Sequence, residues 1–325
     1  MEITEKKENR IMDNHNSDAM ELTMNLVRID STDPGAYEGE IGEFIFQYLK
    51  GLDVPVIKKE VLPGRFNVMA RLEGEEQAPA LVYICHMDTV TTGEGWTVSP
   101  FGAEVIKGRI YGRGACDMKS GLACALSAFT SMALKARDGQ KPKRTLVFIG
   151  TVDEEDFMRG AEAAIADGWV TKDCWVLDTE PTNGRIEVAH KGRTWFEITV
   201  KGITAHASTP WKGADAIAAM AELISFIRRR IASCPVHPDL GASTVTFGQI
   251  EGGYRPYVVP DSCRVWIDMR LVPPTDTTSA VTIVEDAIAD AIQEIPGITA
   301  SYQITGNRPY VEKDEQSPLL KALGE

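Results

Sequence analysis

The stretch "CHMD", Cys85 to Asp88, sets a histidine and an aspartate two residues apart directly after the apolar run "LVYI". Further along, Asp117 stands in "GRGACDMKSG", the acids "DEED" at 153–156 follow "TLVFIGTV", and "DTEP" at 178–181 follows "CWVL". Ligands gather at the carboxyl ends of strands in open α/β sheets, and here four such ends carry acids or a histidine. Carboxylates crowded on one sheet edge repel each other unless a cation or a proton compensates them. An imidazole among several carboxylates suits zinc, or manganese or cobalt in the same place, better than calcium or magnesium, which take oxygen ligands. The chemistry on offer is Lewis-acid hydrolysis, with one carboxylate bridging two cations that acidify a shared water. Such a pair needs one further acid and one neutral ligand for each cation.

The elements that must position these residues follow from periodicity. Asp18 can cap a helix through "MELTMNLVRI", and "EIGEFIFQYLKGL" forms a second that ends at a glycine. Strands are predicted at "FNVMARLEG", "ALVYICH", "RTLVFIGTV" and "CWVLDTE", with helices near 118–136 and 158–168 between them. This alternation predicts an α/β domain, a sheet with helices on both faces. After Glu180 the texture changes. "RIEVAHKGRTWFEITVKG" reads as a hairpin, "GADAIAAMAELISFIRRRIA" as a long helix, "STVTFGQIEGG" and "CRVWIDMRLV" as strands, and "SAVTIVEDAIADAIQEI" as another helix. A β-α-β-β-α-β order predicts a two-layer α+β domain inserted into the first. The expected segments are 1–187 for the metal-binding domain, 188–305 for the insert, and 306–325 for the start of the return, with a helix opening at "SPLLKALGE".

The bulk composition excludes some partners. Among 325 residues, Lys plus Arg number 34 against 47 Asp plus Glu, a net charge of −13 that argues against duplex nucleic acid or an anionic membrane. The one dense basic run, "RRR" at 228–230, decorates the C-terminal turn of the long helix, where cations suit the dipole. "MEITEKKENRIMDNHNSD" has no apolar h-region and no long apolar run follows, so neither a signal peptide nor a membrane span is expected, and the location expected is cytoplasmic. The six cysteines form no C-x-x-C pair and read as reduced core thiols, Cys85 and Cys116 being packing residues rather than thiolate ligands.

"HMDTV", "GRGACDMKSG", "DEE" and "TEPT", in this order, resemble the co-catalytic zinc peptidases and deacylases that include carboxypeptidase G, aminoacylase, acetylornithine deacetylase and succinyl-diaminopimelate desuccinylase. The resemblance extends from about residue 18 over nearly the whole chain. It implies a zinc-peptidase-like catalytic domain, a mixed sheet with helices on both faces, and an inserted α+β lid and dimerisation domain. It makes His86 a ligand of one zinc, Asp117 the bridge, Glu155 a ligand of the second zinc and Glu180 of the first. Glu154 becomes the general base toward a water shared by the metals, and Asp88 the acid that orients His86. Within these motifs Asp153 or Asp156 could serve for a glutamate, and Asp178 for Glu180. "GITAHASTPWKGADAI" resembles the segment whose histidine, here His206, reaches the partner subunit and stabilises the oxyanion; the alternative is a histidine that caps the helix beginning near Gly213. "GGYRPYVVPDSCRVWIDMR" makes Arg270 the guanidinium that grips a substrate carboxylate, against an ordinary strand-end ion pair.

Two positions depart from the family. Tyr257 stands where an asparagine commonly precedes Val-x-Pro-Asp, which removes one substrate-binding amide. Relatives supply the second zinc's imidazole from near their C-terminus, whereas no histidine follows His237 here; His190 and His237 both fall in the insert. The chain is therefore expected to lack its last piece. The function implied is metal-dependent hydrolysis of an amide in an N-acyl amino acid or small peptide, by a homodimer with zinc. The alternative is a non-catalytic relative that binds a ligand or dimerises, its second site being incomplete.

Overall fold

The computed structural model describes residues 18–324; the N-terminal stretch read above as free of a leader lies outside the described residues. The chain divides into two compact units, Met1–Gly184 and Arg185–Glu325.

The first unit begins with α1 (Ala19–Val27), capped by Asp18, whose carboxylate accepts from the Met20 N–H at 2.9 Å. Helix α2 (Gly39–Lys50) ends at Gly51 in ordinary right-handed geometry. Then come β1 (Val56–Leu62), β2 (Arg65–Leu72), β3 (Leu81–His86), the small hairpin β4 (Glu104–Ile106) and β5 (Arg109–Tyr111), α3 (Lys119–Arg137), β6 (Leu146–Thr151), α4 (Arg159–Ala166) and β7 (Trp175–Asp178). The main sheet has the order β1-β2-β6-β3-β7. Its β1 and β2 are antiparallel, as are β2 and β6, while β6, β3 and β7 run parallel. The sheet is thus mixed, as expected.

Strand alternation sends side chains to two cores. Leu146 and Phe148 join Cys85, Val68 and Ala70 against Leu122, Leu126 and Phe129 of α3, while Val147 and Ile149 join Val82 against Ala164 of α4. All six residues of β6 are buried, the reason its sequence is apolar without alternation. Each such large side chain contributes roughly 1.5–3 kcal/mol.

The second unit holds β8 (Gly192–Lys201), α5 (Ala216–Ala232), β9 (Thr244–Gly252), β10 (Ser262–Leu271), α6 (Thr277–Glu294), β11 (Thr299–Arg308) and α7 (Pro318–Gly324). Its sheet is antiparallel throughout, in the order β11-β8-β10-β9. Phe196, Ile198 and Val200 of β8 and Val265, Ile267 and Met269 of β10 face Met220, Leu223 and Ile227 of α5 and Val284 and Ala287 of α6, so both helices cover one face. The expected hairpin before β8 does not form. "RIEVAH" has no strand to pair with, and His190 makes only an isolated bridge to Val311.

The cysteines are all free, but only Cys85 and Cys263 are buried; Cys116 and Cys124 are exposed, which corrects the reading of Cys116 as a packing residue and of the thiols as mostly core. Among the described residues no helix is long and apolar enough to cross a membrane.

Candidate metal centre

The site lies in the first unit and rests on strand order. Strands β6, β3 and β7 are neighbours and parallel, so their carboxyl ends open on one edge. His86 is the last residue of β3, Glu154 and Glu155 lie just beyond β6, and Glu180 lies two residues beyond β7. Asp117 comes from elsewhere. It sits in the turn between β5 and α3, so three main-sheet strand ends carry the site rather than four.

His86 is the centre of this constellation. Its Nε2 lies 3.2 Å from Asp117 Oδ1, 3.3 Å from Glu180 Oε1 and 4.0 Å from Glu154 Oε2. Its Nδ1 donates to the Asp88 main-chain oxygen at 3.0 Å, which leaves Nε2 as the nitrogen with a lone pair to offer. Among the described residues, two of the three groups whose donor atoms are close enough to share a cation contain His86, with Asp117 and Glu155 or with Glu154 and Glu180. One imidazole with carboxylates is a donor set for a borderline divalent cation.

Asp88 has a different posture from the one sequence suggests. Its carboxylate is 3.6 Å from His86 Nδ1, whereas its two oxygens accept the main-chain N–H groups of Glu154 at 3.2 Å and Glu155 at 2.9 Å. One buried carboxylate therefore adjoins the imidazole and holds the backbone of both glutamates. Burial alone would raise its pKa, but His86 and these two N–H groups hold it below the usual range. Asp117 is likewise lowered, chiefly by His86.

Of the alternative acids, Asp153 is fully buried and bound to Arg159, and Asp156 and Asp178 belong to no metal-capable group among the described residues. Gly121 in the first turn of α3 is a close approach that sequence did not flag. A Cβ there would sit 1.9 Å from the Thr179 carbonyl, so only glycine lets α3 pass the segment that carries Glu180.

Burial pushes the Glu154 carboxyl up to about 7; His86 opposes this, and Glu180, Glu155 and Asp88 add to it. The unfolded glutamate ionises near 4.5, so folding retains a proton between pH 4.5 and about 7. The corresponding stability is present below that window and lost as pH rises through it. In protein stripped of metal by a chelator, Glu154→Gln should therefore raise the melting temperature relative to wild type more at pH 8 than at pH 4. A difference that does not change with pH would contradict this.

In the second unit, His206 lies in an irregular segment, bridged to Val258. It caps no helix; Asp215 caps α5 by accepting from the Ile217 and Ala218 N–H groups at 2.9 Å. Its Nδ1 accepts from the Ser208 N–H at 3.2 Å and lies 2.8 Å from the Ser208 hydroxyl, so Nε2 carries the proton. Arg270 is 49% exposed and its guanidinium donates to Asp268, two residues back on the same strand, at 3.0–3.1 Å.

Comparison with known proteins agrees with this architecture. Residues 188–296 match the peptidase dimerisation domain model, and residues 67–185 match that of peptidase family M28. Acetylornithine deacetylase of Vibrio cholerae is 28% identical over 305 residues, 91% of this chain and 79% of its own length. The crystal structure of an aminopeptidase from Bacillus cereus superposes with a TM-score of 0.73 at 24% identity, over 94% of this chain and 80% of that one. A dinuclear metal-binding peptidase from Bacillus subtilis superposes with a TM-score of 0.64 at 17% identity, over 91% of this chain and 75% of that one. These relatives support a metallohydrolase that acts on amide or peptide bonds. Both model matches and these relatives support a zinc peptidase and deacylase family.

Proposed function

We propose that the chain hydrolyses the amide bond of an N-acyl amino acid or small peptide, using zinc held by His86, Asp117, Glu155 and Glu180, with cobalt or manganese able to serve in the same site. The supporting observation is the convergence of three parallel strand ends and Asp117 on His86 Nε2 while Nδ1 is tied to the backbone. A divalent cation held there supplies Lewis acidity toward the amide carbonyl and toward water.

The chain's own residues then handle protons and charge. Glu154 takes a proton from the attacking water and returns it to the leaving amine; a carboxyl poised near neutrality suits both transfers. Asp88 fixes the His86 ring and the Glu154–Glu155 backbone together. His206 supplies an Nε2–H to the oxyanion across a homodimer, a role its Ser208-held tautomer fits. Arg270 binds the substrate carboxylate by exchanging Asp268 for it, a bidentate partner of the same kind. We assign residues 188–305 as the lid and dimerisation domain, within which the matched dimerisation segment falls. The six free thiols suit a reducing, cytoplasmic setting.

A panel of N-acyl amino acids and dipeptides, assayed for released amine, tests the reading. Turnover should disappear with a chelator and return with Zn2+. Zinc-loaded protein that cleaves no member of the panel would count against it.

A further inference from the structure

Behind the metal centre lies a second cluster of charges, of which the chemistry above uses only Asp88. Glu38, Arg65, Asp88 and Asp153 are all buried. Arg65 donates to both Glu38 oxygens and to Asp33 Oδ2, each at 2.6 Å, and lies 3.5 Å from Asp153. Asp33, Glu38 and Asp88 bring three carboxylates within metal-binding distance of one another, but the Arg65 guanidinium already compensates two of them. This cluster is therefore an ion-pair network rather than another cation site.

The network acts on the loop after β6. The Asp153 N–H donates to Glu38 Oε1 at 2.9 Å, and the next two N–H groups, of Glu154 and Glu155, go to Asp88. Three successive backbone donors thus end on two buried carboxylates. Asp153 has a φ of 67°, a left-handed conformation that a non-glycine residue holds only when its surroundings impose it. Its side chain is gripped by Arg159 at 2.6 Å. Asn67, two residues from Arg65 on β2, closes the loop at both ends by accepting from the Val152 N–H at 3.1 Å and donating to the Gly160 carbonyl at 2.8 Å. The turn at 153 thereby sets where the Glu154 and Glu155 side chains leave the backbone.

We infer that Glu38 and Arg65 are positioning residues for the Glu154–Glu155 pair: through the Asp153 backbone they fix the general base and one metal ligand in register with His86. This rests on the roles proposed for Glu154 and Glu155. It also explains why "GRFN" at 64–67, far in sequence from the metal motifs, carries a buried arginine and asparagine.

Zn2+ titration of chelator-stripped protein, with amide hydrogen exchange at residues 153–155, tests it. Glu38→Gln should weaken the weaker zinc site by about 10–100-fold, as loss of an outer-shell partner does, and speed exchange at the Glu154 and Glu155 amides. In Glu38→Gln/Arg65→Met one of the two carboxylates that Arg65 pairs is neutralised together with it, Asp33 staying charged, so thermal stability should recover in part relative to Arg65→Met alone. Zinc affinity and amide protection should stay low in that double variant. A double variant that regains zinc affinity along with its stability would show a merely structural role and overturn the inference. Arg159→Met alters the 40%-exposed outer partner and should leave the fold intact while weakening zinc several-fold; unchanged affinity there would likewise overturn it. A wild-type protein that binds no zinc refutes the proposed function itself, a result distinct from variants that match a zinc-binding wild type.

Discussion

Glu154→Gln is expected to reduce amide turnover by at least about 100–10,000-fold, the usual contribution of a general acid–base group, while leaving the metal content of the protein unchanged. The geometry makes this a sharp expectation. Glu154 Oε2 is 4.0 Å from His86 Nε2, farther than the Asp117 and Glu180 oxygens at 3.2 and 3.3 Å, and its carboxyl is the one burial pushes up to about 7. A glutamine keeps the volume and the Asp88-held backbone but cannot accept and return a proton. Metal analysis and kinetics on the same preparation separate the outcomes. If metal is lost along with activity, Glu154 is a ligand, as its place in one of the two donor groups would allow. If turnover survives, the base lies elsewhere.

His86→Ala should have the largest effect on metal. Its Nε2 is the one imidazole donor in either candidate group, so its removal takes the nitrogen ligand from the stronger cation, whereas Glu155→Gln takes only a carboxylate from the other. The Zn2+ affinity of His86→Ala should fall by more than about 100-fold, the upper end of what an outer-shell loss costs, and activity should vanish with it. Glu155→Gln should weaken one cation and spare the other. Equal zinc titration curves for the two variants would contradict His86 as the nitrogen ligand of the stronger site.

The chemistry of the site was legible because its residue types are dictated locally. An apolar run that ends in a polar residue marks a strand end, and that marker stands at His86, at Glu154 and Glu155, and at Glu180. The order in which the strands lie side by side was not legible, since β3, β6 and β7 become neighbours through crossovers that no short motif encodes. Asp117 read as a strand end although it reaches the site on the turn into α3. The "RIEVAH" hairpin failed because alternation records which face a strand would bury, not whether a partner exists. Strand β1, "VIKKEVL", was missed because as an edge strand its outward positions are charged or exposed. The Glu38–Arg65–Asp153 network escaped for another reason. A lone acid or arginine in sequence is most often solvated, and only the fold shows that these three are buried and bonded to one another.

Three parallel strand ends and Asp117 together form the proposed divalent metal centre. Native mass spectrometry of the full chain after equilibration with Zn2+ measures it directly. A zinc ion held through His86 and lost in His86→Ala is expected, with a second, weaker one lost in Glu155→Gln. A wild-type chain that retains no zinc under these conditions would contradict it.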